Sequence, residues 1–241
     1  MKDKVVLMYH DIVTKDDKSS GFQNDSAFQY KVEESVFEEQ VKALQGKDVV
    51  FTFDDGGVSF ITKAAPILEK YGFKGVFFIA TKYIDTPGFL TVAQIQELHE
   101  RGHQIGSHTH SHPANLSKGN ETEIEEEWSS SIKMLSDIIG QPVHTASIPN
   151  GNGSKAVYKC AKKAGITELY TSIPTIKTKN EKGVDIVGRY VVHDSSSTED
   201  VTRIVENKRY RDRMYVKWLV ISAAKTVLGS FYKPIKSLIV K

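Results

Sequence analysis

Residues 49–53 read Val-Val-Phe-Thr-Phe, an apolar and β-favouring run that stops abruptly at Asp54, Asp55 and Gly56. A strand that is apolar at consecutive positions has both faces covered, as in a parallel sheet packed between other layers. In such sheets ligands collect at the carboxyl ends of the strands. Two acids delivered there stand where chemistry is done, and neighbouring carboxylates can divide the work, one holding a metal ion and the other moving a proton. Asp-Asp-Gly is also ordinary turn chemistry, so this run constrains the fold class before it constrains the function.

The rest of the chain alternates in the same way. Strands are expected near 4–9, 49–53, 75–79, 103–107, 145–148, 168–172 and 187–192, and helices near 58–71, 91–101, 120–139 and 154–164. Alternating strands and helices predict an α/β fold with a parallel sheet. Ile124, Trp128, Ile132, Leu135 and Ile139 fall at helical spacing, and Glu121, Glu123, Glu125, Glu126 and Glu127 crowd the first turns, where acids suit the helix dipole. That glutamate run is read as a solvated helix start. Residues 11–36 are polar and aperiodic and are expected to form a long loop near the site. At 241 residues, 39% hydrophobic and 26% charged, the chain is long enough for one large core and too apolar for a disordered protein.

A second cluster, His108-Thr109-His110-Ser111-His112, follows the strand-like run 102–107. His108 and His112 would share a metal if the chain turned helically there, whereas His108 and His110 would share a face if it stayed extended. An aspartate with two histidines is a common catalytic zinc set with an open position for water. A structural zinc site would more often use cysteine, and the chain has only Cys160. His99, His103 and His144 read as surface or loop residues.

Thr52-Phe53-Asp54-Asp55-Gly56 and Ser107-His108-Thr109-His110-Ser111-His112 resemble the first two motifs of the polysaccharide deacetylase family, the NodB-homology group or carbohydrate esterase family 4. Met8-Tyr9-His10-Asp11, Ala65-Pro66-Ile67-Leu68 and Gly75-Val76-Phe77-Phe78-Ile79 extend the likeness, which covers about residues 4–195. The resemblance implies an irregular (β/α) barrel of the NodB-homology type. It also implies metal-dependent amide hydrolysis, with Asp54 as base and Asp55, His108 and His112 as metal ligands. The metal is expected to be zinc, with cobalt or nickel as substitutes. The family's third motif aligns with Ser147-Ile148-Pro149-Asn150-Gly151. A serine and an asparagine stand there in place of arginine and tyrosine. Pro149 and Asn150 are assigned to the oxyanion and substrate side, together with Arg189, which is expected to replace the missing arginine. His193 is the expected general acid, with His10 its rival. The substrate is expected to be an N-acetylated glycan or glycolipid, such as a membrane-linked precursor of a surface polysaccharide. A non-catalytic carbohydrate-binding relative, or a hydrolase of a non-sugar amide or an O-acetyl ester, are the alternatives.

Two parts are expected, a catalytic domain over 1–206 and a basic amphipathic extension over 207–241. The extension carries nine Lys or Arg and one acid, net +8, while the remainder carries 23 basic and 29 acidic residues, net −6. Such asymmetry marks a partner surface. Leu219, Val220, Ala223 and Val227 share one helical face, and Arg213, Lys217 and Lys225 lie together on another. The segment is too interrupted by charge to span a bilayer. Two roles fit it: contact with an anionic membrane surface, or packing on the domain. Gly229 and Pro234 are expected to end the helix. No nucleic acid is expected, because no recognition module is present. Val5–Met8 is too short an apolar run for a secretory core and reads as the first strand. The expected location is cytoplasmic, at the inner face of the membrane.

Overall fold

The computed structural model describes residues 4–151 and 153–228, with the backbone alone for 225–228. The chain begins β1 (Val5–Tyr9), β2 (Ile12–Val13), α1 (Asp25–Phe28), β3 (Val32–Glu33), α2 (Glu34–Ala43) and β4 (Val49–Phe53). A π-helical turn (Phe60–Ala64) runs into α3 (Ala65–Lys70), followed by β5 (Gly75–Ile79), α4 (Val92–Glu100), β6 (Gln104–Ser107) and α5 (Glu121–Ile139). Then come β7 (Thr145–Ser147), α6 (Lys155–Lys163), β8 (Glu168–Tyr170), β9 (Lys179–Glu181), β10 (Val184–Val187), β11 (Tyr190–Val191), α7 (Thr198–Glu206) and α8 (Lys208–Leu228).

Nine strands form one sheet in the order β11-β1-β4-β5-β6-β7-β8-β10-β9, with β2 and β3 paired separately. Every pairing is parallel except β9 against β10. β10 and β11 lie towards opposite ends of this order, yet only Gly188 and Arg189 separate them. Three Cα–Cα steps reach at most ~11 Å, so the sheet must curl until the two strands adjoin without pairing. The result is a curled half-barrel whose seam is closed by the chain itself.

Strand alternation divides the core into two. Leu7, Tyr9, Phe51, Phe53, Phe77 and Ile79 point outward against the helices. Val6, Val76, Phe78, Tyr170 and Val187 fill the inside of the curl. Helix α5 shows why the outer layer holds. Ile124, Trp128, Ser131 and Leu135 form its buried stripe, Asn120 and Glu123 close a capping box at its start, and Gly140 ends it in the left-handed conformation (φ 70°).

Three regions differ from the sequence reading. The segment expected as a loop over 11–36 contains β2, α1 and β3 and runs into α2. Helix α2 is hidden in the sequence because its buried stripe, Phe37, Gln40 and Val41, includes a polar residue. Gln40 is fully buried, accepts a hydrogen bond from Tyr9 Oη (3.0 Å) and donates to Ser196 O (2.9 Å). Helix α7 has only two buried apolar positions, Val201 and Ile204, too few to show a period. The strand expected over 187–192 is broken at the seam, where a Cβ on Gly188 would lie 2.4 Å from Thr175 O and 2.5 Å from Ile173 O. His103, read as a surface residue, is buried: Gly75 N–H donates to its Nδ1 (3.0 Å), and its Nε2 meets Glu69 Oε1 (3.1 Å).

Among the described residues, helix α8 docks on the main core through its first turns. Tyr210 and Met214 pack on the main core, and Arg211 Nη1 donates to Ile204 O (2.8 Å) and Val205 O (2.9 Å), capping the last carbonyls of α7. Gly229 and Pro234 lie outside the described residues.

Candidate metal centre and active site

The chain leaves β4 through two successive residues with positive φ, Asp55 (87°) and Gly56 (96°). This turns the Asp55 carboxylate across the mouth of the curl. Asp55 and Gly56 are followed by close packing: Cβ atoms on Gly56 and Gly57 would meet Ile79 Cγ2 at 3.1 Å and Asp11 Oδ1 at 1.9 Å. β6 ends at Ser107 and delivers His108 beside the acids. The next residues form a loop and not the helical turn that the spacing allowed, with Thr109 (φ 64°) and His112 (φ 55°) in the left-handed region. Among the described residues, six that are not glycine have positive φ, and four of them, Asp55, Thr109, His112 and Asn150, belong to this site. A β-branched residue such as Thr109 adopts this conformation only under strong restraint.

The restraints are visible. Thr109 Oγ1 accepts from His112 N (3.2 Å), and Ser107 Oγ accepts from Thr109 N (3.1 Å). From the α5 side, the half-buried Glu127 carboxylate accepts from His110 N (2.9 Å), Ser111 N (2.8 Å) and the Ser111 hydroxyl. Glu127 therefore does not belong to a solvated run as its neighbours do. Its place was readable in outline, since it sits three residues after Ile124 and beside Trp128 on the flank of the buried stripe.

The loop brings His108 and His112 together with Asp55 and leaves His110 out. His108 Nε2 lies 3.4 Å and His112 Nε2 3.3 Å from Asp55 Oδ1, while His110 Nδ1 turns away to Thr81 Oγ1 (2.9 Å). One ligand atom from each of Asp55, His108 and His112 fits within 4.8 Å of the others. His108 Nδ1 faces Ser147 O (3.0 Å), which can only accept. The proton is therefore on Nδ1, and the Nε2 lone pair points at the carboxylate. Asp55 Oδ1 is buried without a hydrogen-bond donor. Lone pairs converging on a buried carboxylate are satisfied by a cation, so the donor set fits a divalent metal ion, and two imidazoles with one carboxylate suit a catalytic centre. Burial pushes the Asp55 carboxyl up, and positive charge placed on the facing imidazoles would outweigh burial and hold it well below the usual range, so this oxygen favours a cation.

Asp54 is held differently. Arg189 comes from the seam between β10 and β11, runs through the inside of the curl over the Phe78 and Tyr170 rings, and donates to both Asp54 oxygens at 2.7 Å. The same guanidinium donates to Thr52 Oγ1 (3.2 Å) and Thr171 O (3.0 Å). Ser147 Oγ, 2.6 Å from His108 Nδ1, donates to Asp54 Oδ1 (3.1 Å), so one hydroxyl links the two carboxylate systems. Burial raises the Asp54 pKa, and the Arg189 guanidinium outweighs burial and lowers it below the ordinary carboxylate value. Asp54 and Arg189 are both almost fully buried, and a fork-to-fork pair fixes the plane of the carboxylate as well as its charge.

These groups border a cavity of about 350 Å³. His10, Asp54, Asp55, Asn150 and Arg189 line it, with Phe22 and Tyr30 from the 11–36 segment forming its rim. Phe22 packs against His112 (ring centroids 5.1 Å apart), Tyr83 (4.8 Å) and Phe89 (5.1 Å). Asn150 lines the cavity at φ 57°, and its Nδ2 donates to Ala114 O (3.2 Å); Pro149 is buried beside it. His193 is not among the lining residues. Its ring lies tilted beside that of Tyr30 (centroids 5.0 Å apart), which also neighbours His10 (4.5 Å). His10 Nδ1 is buried with no hydrogen-bond partner.

The profile of the polysaccharide deacetylase family matches residues 42–169, more than half of the chain. Bacillus subtilis YxkH is 29% identical over 199 residues, 78% of this chain and 69% of its own length. The peptidoglycan-N-acetylglucosamine deacetylase PgdA of Listeria monocytogenes is 32% identical over 136 residues, 56% of this chain but only 27% of PgdA. The structure of the Streptococcus pyogenes deacetylase PplD, in complex with acetate, superposes with a TM-score of 0.68 at 20% identity, over 84% of this chain and 98% of that one, which is a likeness of fold.

Proposed function

The chain belongs to the polysaccharide deacetylase family, and from that premise we propose that it is a metal-dependent de-N-acetylase acting on N-acetylhexosamine units of a glycan or glycolipid. One observation carries the reading. A carboxylate fixed by Arg189 and Ser147 stands next to a second carboxylate on which two imidazoles converge, and both border one cavity. Asp55, His108 and His112 would hold the ion, for which zinc is the proposed metal, with cobalt or nickel as substitutes. When bound, the ion supplies Lewis acidity towards a water molecule and the acetyl carbonyl.

The remaining work falls to the chain's own groups. Asp54, ionised and oriented by Arg189, accepts the proton of the attacking water. Asn150, in its left-handed turn at the cavity wall, presents backbone to the side where the oxyanion develops. The leaving amine needs a proton. His10, which lines the cavity and whose buried Nδ1 has no partner, is better supported as its donor than His193, which is not among the lining residues. The Phe22 and Tyr30 rings offer apolar faces against which a sugar ring can rest. The name of PgdA supports an N-acetylglucosamine polymer as substrate class, and the basic extension supports a lipid-linked precursor handled at the cytoplasmic face of the membrane.

The test is acetate release from N-acetylglucosamine oligomers and lipid-linked N-acetylhexosamines, after chelation and again after zinc is restored. Wild-type protein should release acetate only with metal, and Asp54→Asn should bind the ion yet lose turnover by ~10²-fold or more, as expected for loss of a general base. Metal-loaded protein that binds glycan and releases no acetate from any of them would replace this reading with that of a carbohydrate-binding relative.

A further inference from the structure

We infer that α8 carries the enzyme onto an anionic lipid bilayer, entering obliquely with its basic turns at headgroup depth and its apolar half below them. This inference deepens the lipid-linked reading above by naming the partner surface and the element that meets it. Helix α8 changes character along its axis. Lys208, Arg209, Arg211 and Arg213 come first, Tyr215 and Trp218 follow with Lys217 between them, and residues 218–224 form nearly two turns without a charge before Lys225. Cations, then an aromatic pair, then an uncharged stretch is the order in which a helix entering a bilayer meets headgroups, interface and acyl chains. At 1.5 Å per residue, Arg213 and Val220 are separated by ~10 Å along the axis, the depth to which interfacial helices bury their apolar side.

The exposure pattern matches. Among the described residues seven large hydrophobic side chains are exposed, and four of them lie here: Tyr215 (38%), Val216 (57%), Leu219 (44%) and Val220 (58%). Tyr215 and Trp218 stack on each other, centroids 5.9 Å apart. Among the described residues, Met214 is the last of the helix that packs on the main core. At the headgroup level, Arg203, Arg209 and Arg213 line one groove with Asn207 and Tyr210. Arg203 is already paired with Glu199 (2.6 Å), which leaves Arg209 and Arg213 to meet an anion. The body, at net −6, is repelled by an anionic surface while the extension, at net +8, is drawn to it, so the field orients the molecule with α8 towards the lipid.

The uncharged positions 218–224 include side chains on every side of the helix, which fits a fluid that surrounds it better than a protein groove that takes one stripe. Flotation of the full chain with phosphatidylcholine vesicles, with and without phosphatidylglycerol, tests this in the absence of any sugar. Binding should require phosphatidylglycerol and weaken with salt. Arg209→Gln with Arg213→Gln should lose ~30-fold in affinity, the effect of two surface cations. Val216→Asp with Val220→Asp should abolish flotation, while acetate release from soluble oligomers stays at the wild-type level in both variants. Absence of flotation, or flotation indifferent to phosphatidylglycerol and to both pairs of substitutions, overturns the inference. So does a concentration-dependent dimer that Val216→Asp with Val220→Asp dissolves, since the occupant would then be a second copy. A chain that floats as described but releases no acetate refutes the deacetylase and leaves this inference standing.

Discussion

Replacing Glu127 by alanine should weaken metal binding without touching a ligand. The carboxylate accepts three hydrogen bonds from the loop that ends in His112, and two of the donors are backbone amides at His110 and Ser111. Charge-assisted bonds are worth ~1.5–3 kcal/mol each if nothing replaces them. Glu127 is only half-buried, so water recovers much of that. What water cannot restore is the loop's shape. Thr109 and His112 hold left-handed backbone at a cost of ~1–3 kcal/mol each, and without the clamp the loop relaxes and takes His112 with it. His108 is anchored separately, by β6 and Ser147 O, so one ligand of three is misplaced. A loss of ~10–100-fold in metal affinity follows, the range for an outer group that orients a ligand. Glu127→Gln keeps the oxygen that both backbone amides use, and its NH2 can donate to the Ser111 hydroxyl where the carboxylate accepted, so it should stay within ~3-fold of wild type. Titration of the chelated protein with zinc, against a competing chelator, measures both. If Glu127→Ala melted at lower temperature but bound zinc as tightly as wild type, the carboxylate would be a brace for α5 and the positioning argument would be wrong.

Three further outcomes are expected. His112→Ala should lose metal, whereas His110→Ala, which breaks only the contact with Thr81, should retain it; equal loss by metal analysis would contradict the ligand set. His10→Asn should slow turnover more than His193→Asn, read as kcat on a soluble oligomer, and the reverse order would return the acid's role to His193. Glu69 accepts from Arg101, Lys74 and His103, and with Arg101 as the main cause its pKa falls to about 2. A depressed carboxyl stabilises the fold above its unfolded value and loses that contribution as pH falls through the folded one. Glu69→Gln should therefore be less stable than wild type near neutrality by about 1 kcal/mol, discounted for its partial exposure. The gap in urea midpoints should close between about pH 4.5 and pH 2; a gap unchanged across that window would show that charge has no part in it.

The sequence disclosed whatever depends on consecutive or regularly spaced residues. The apolar run into Asp54 and Asp55 marks a buried strand end, and His108 and His112 meet Asp55 as the family likeness implied. The remainder depends on contacts distant in sequence. Arg189 reaches Asp54 across 135 positions, and only the curl of the sheet explains why a residue between two short strands points inward. Helix α2 was hidden by a buried glutamine whose partners, Tyr9 and Ser196, lie far away along the chain. His10 and His193 both looked eligible as acid, and only the folded chain shows that His10 lines the cavity and His193 does not.

The seam at Gly188 and Arg189 ties activity to topology. Hydrogen bonds join every neighbouring pair in the strand order, but none joins β10 to β11. Cleaving the chain at residue 188 would leave every hydrogen-bonded strand pair in place and remove the covalent tether beside the arginine that holds Asp54. Such a molecule should keep its strand ladder and hold the Asp54 carboxylate less firmly. In this half-barrel the peptide that completes the ring also carries the arginine that fixes Asp54, so slow breathing at that one joint would loosen the proposed base before it registered as unfolding.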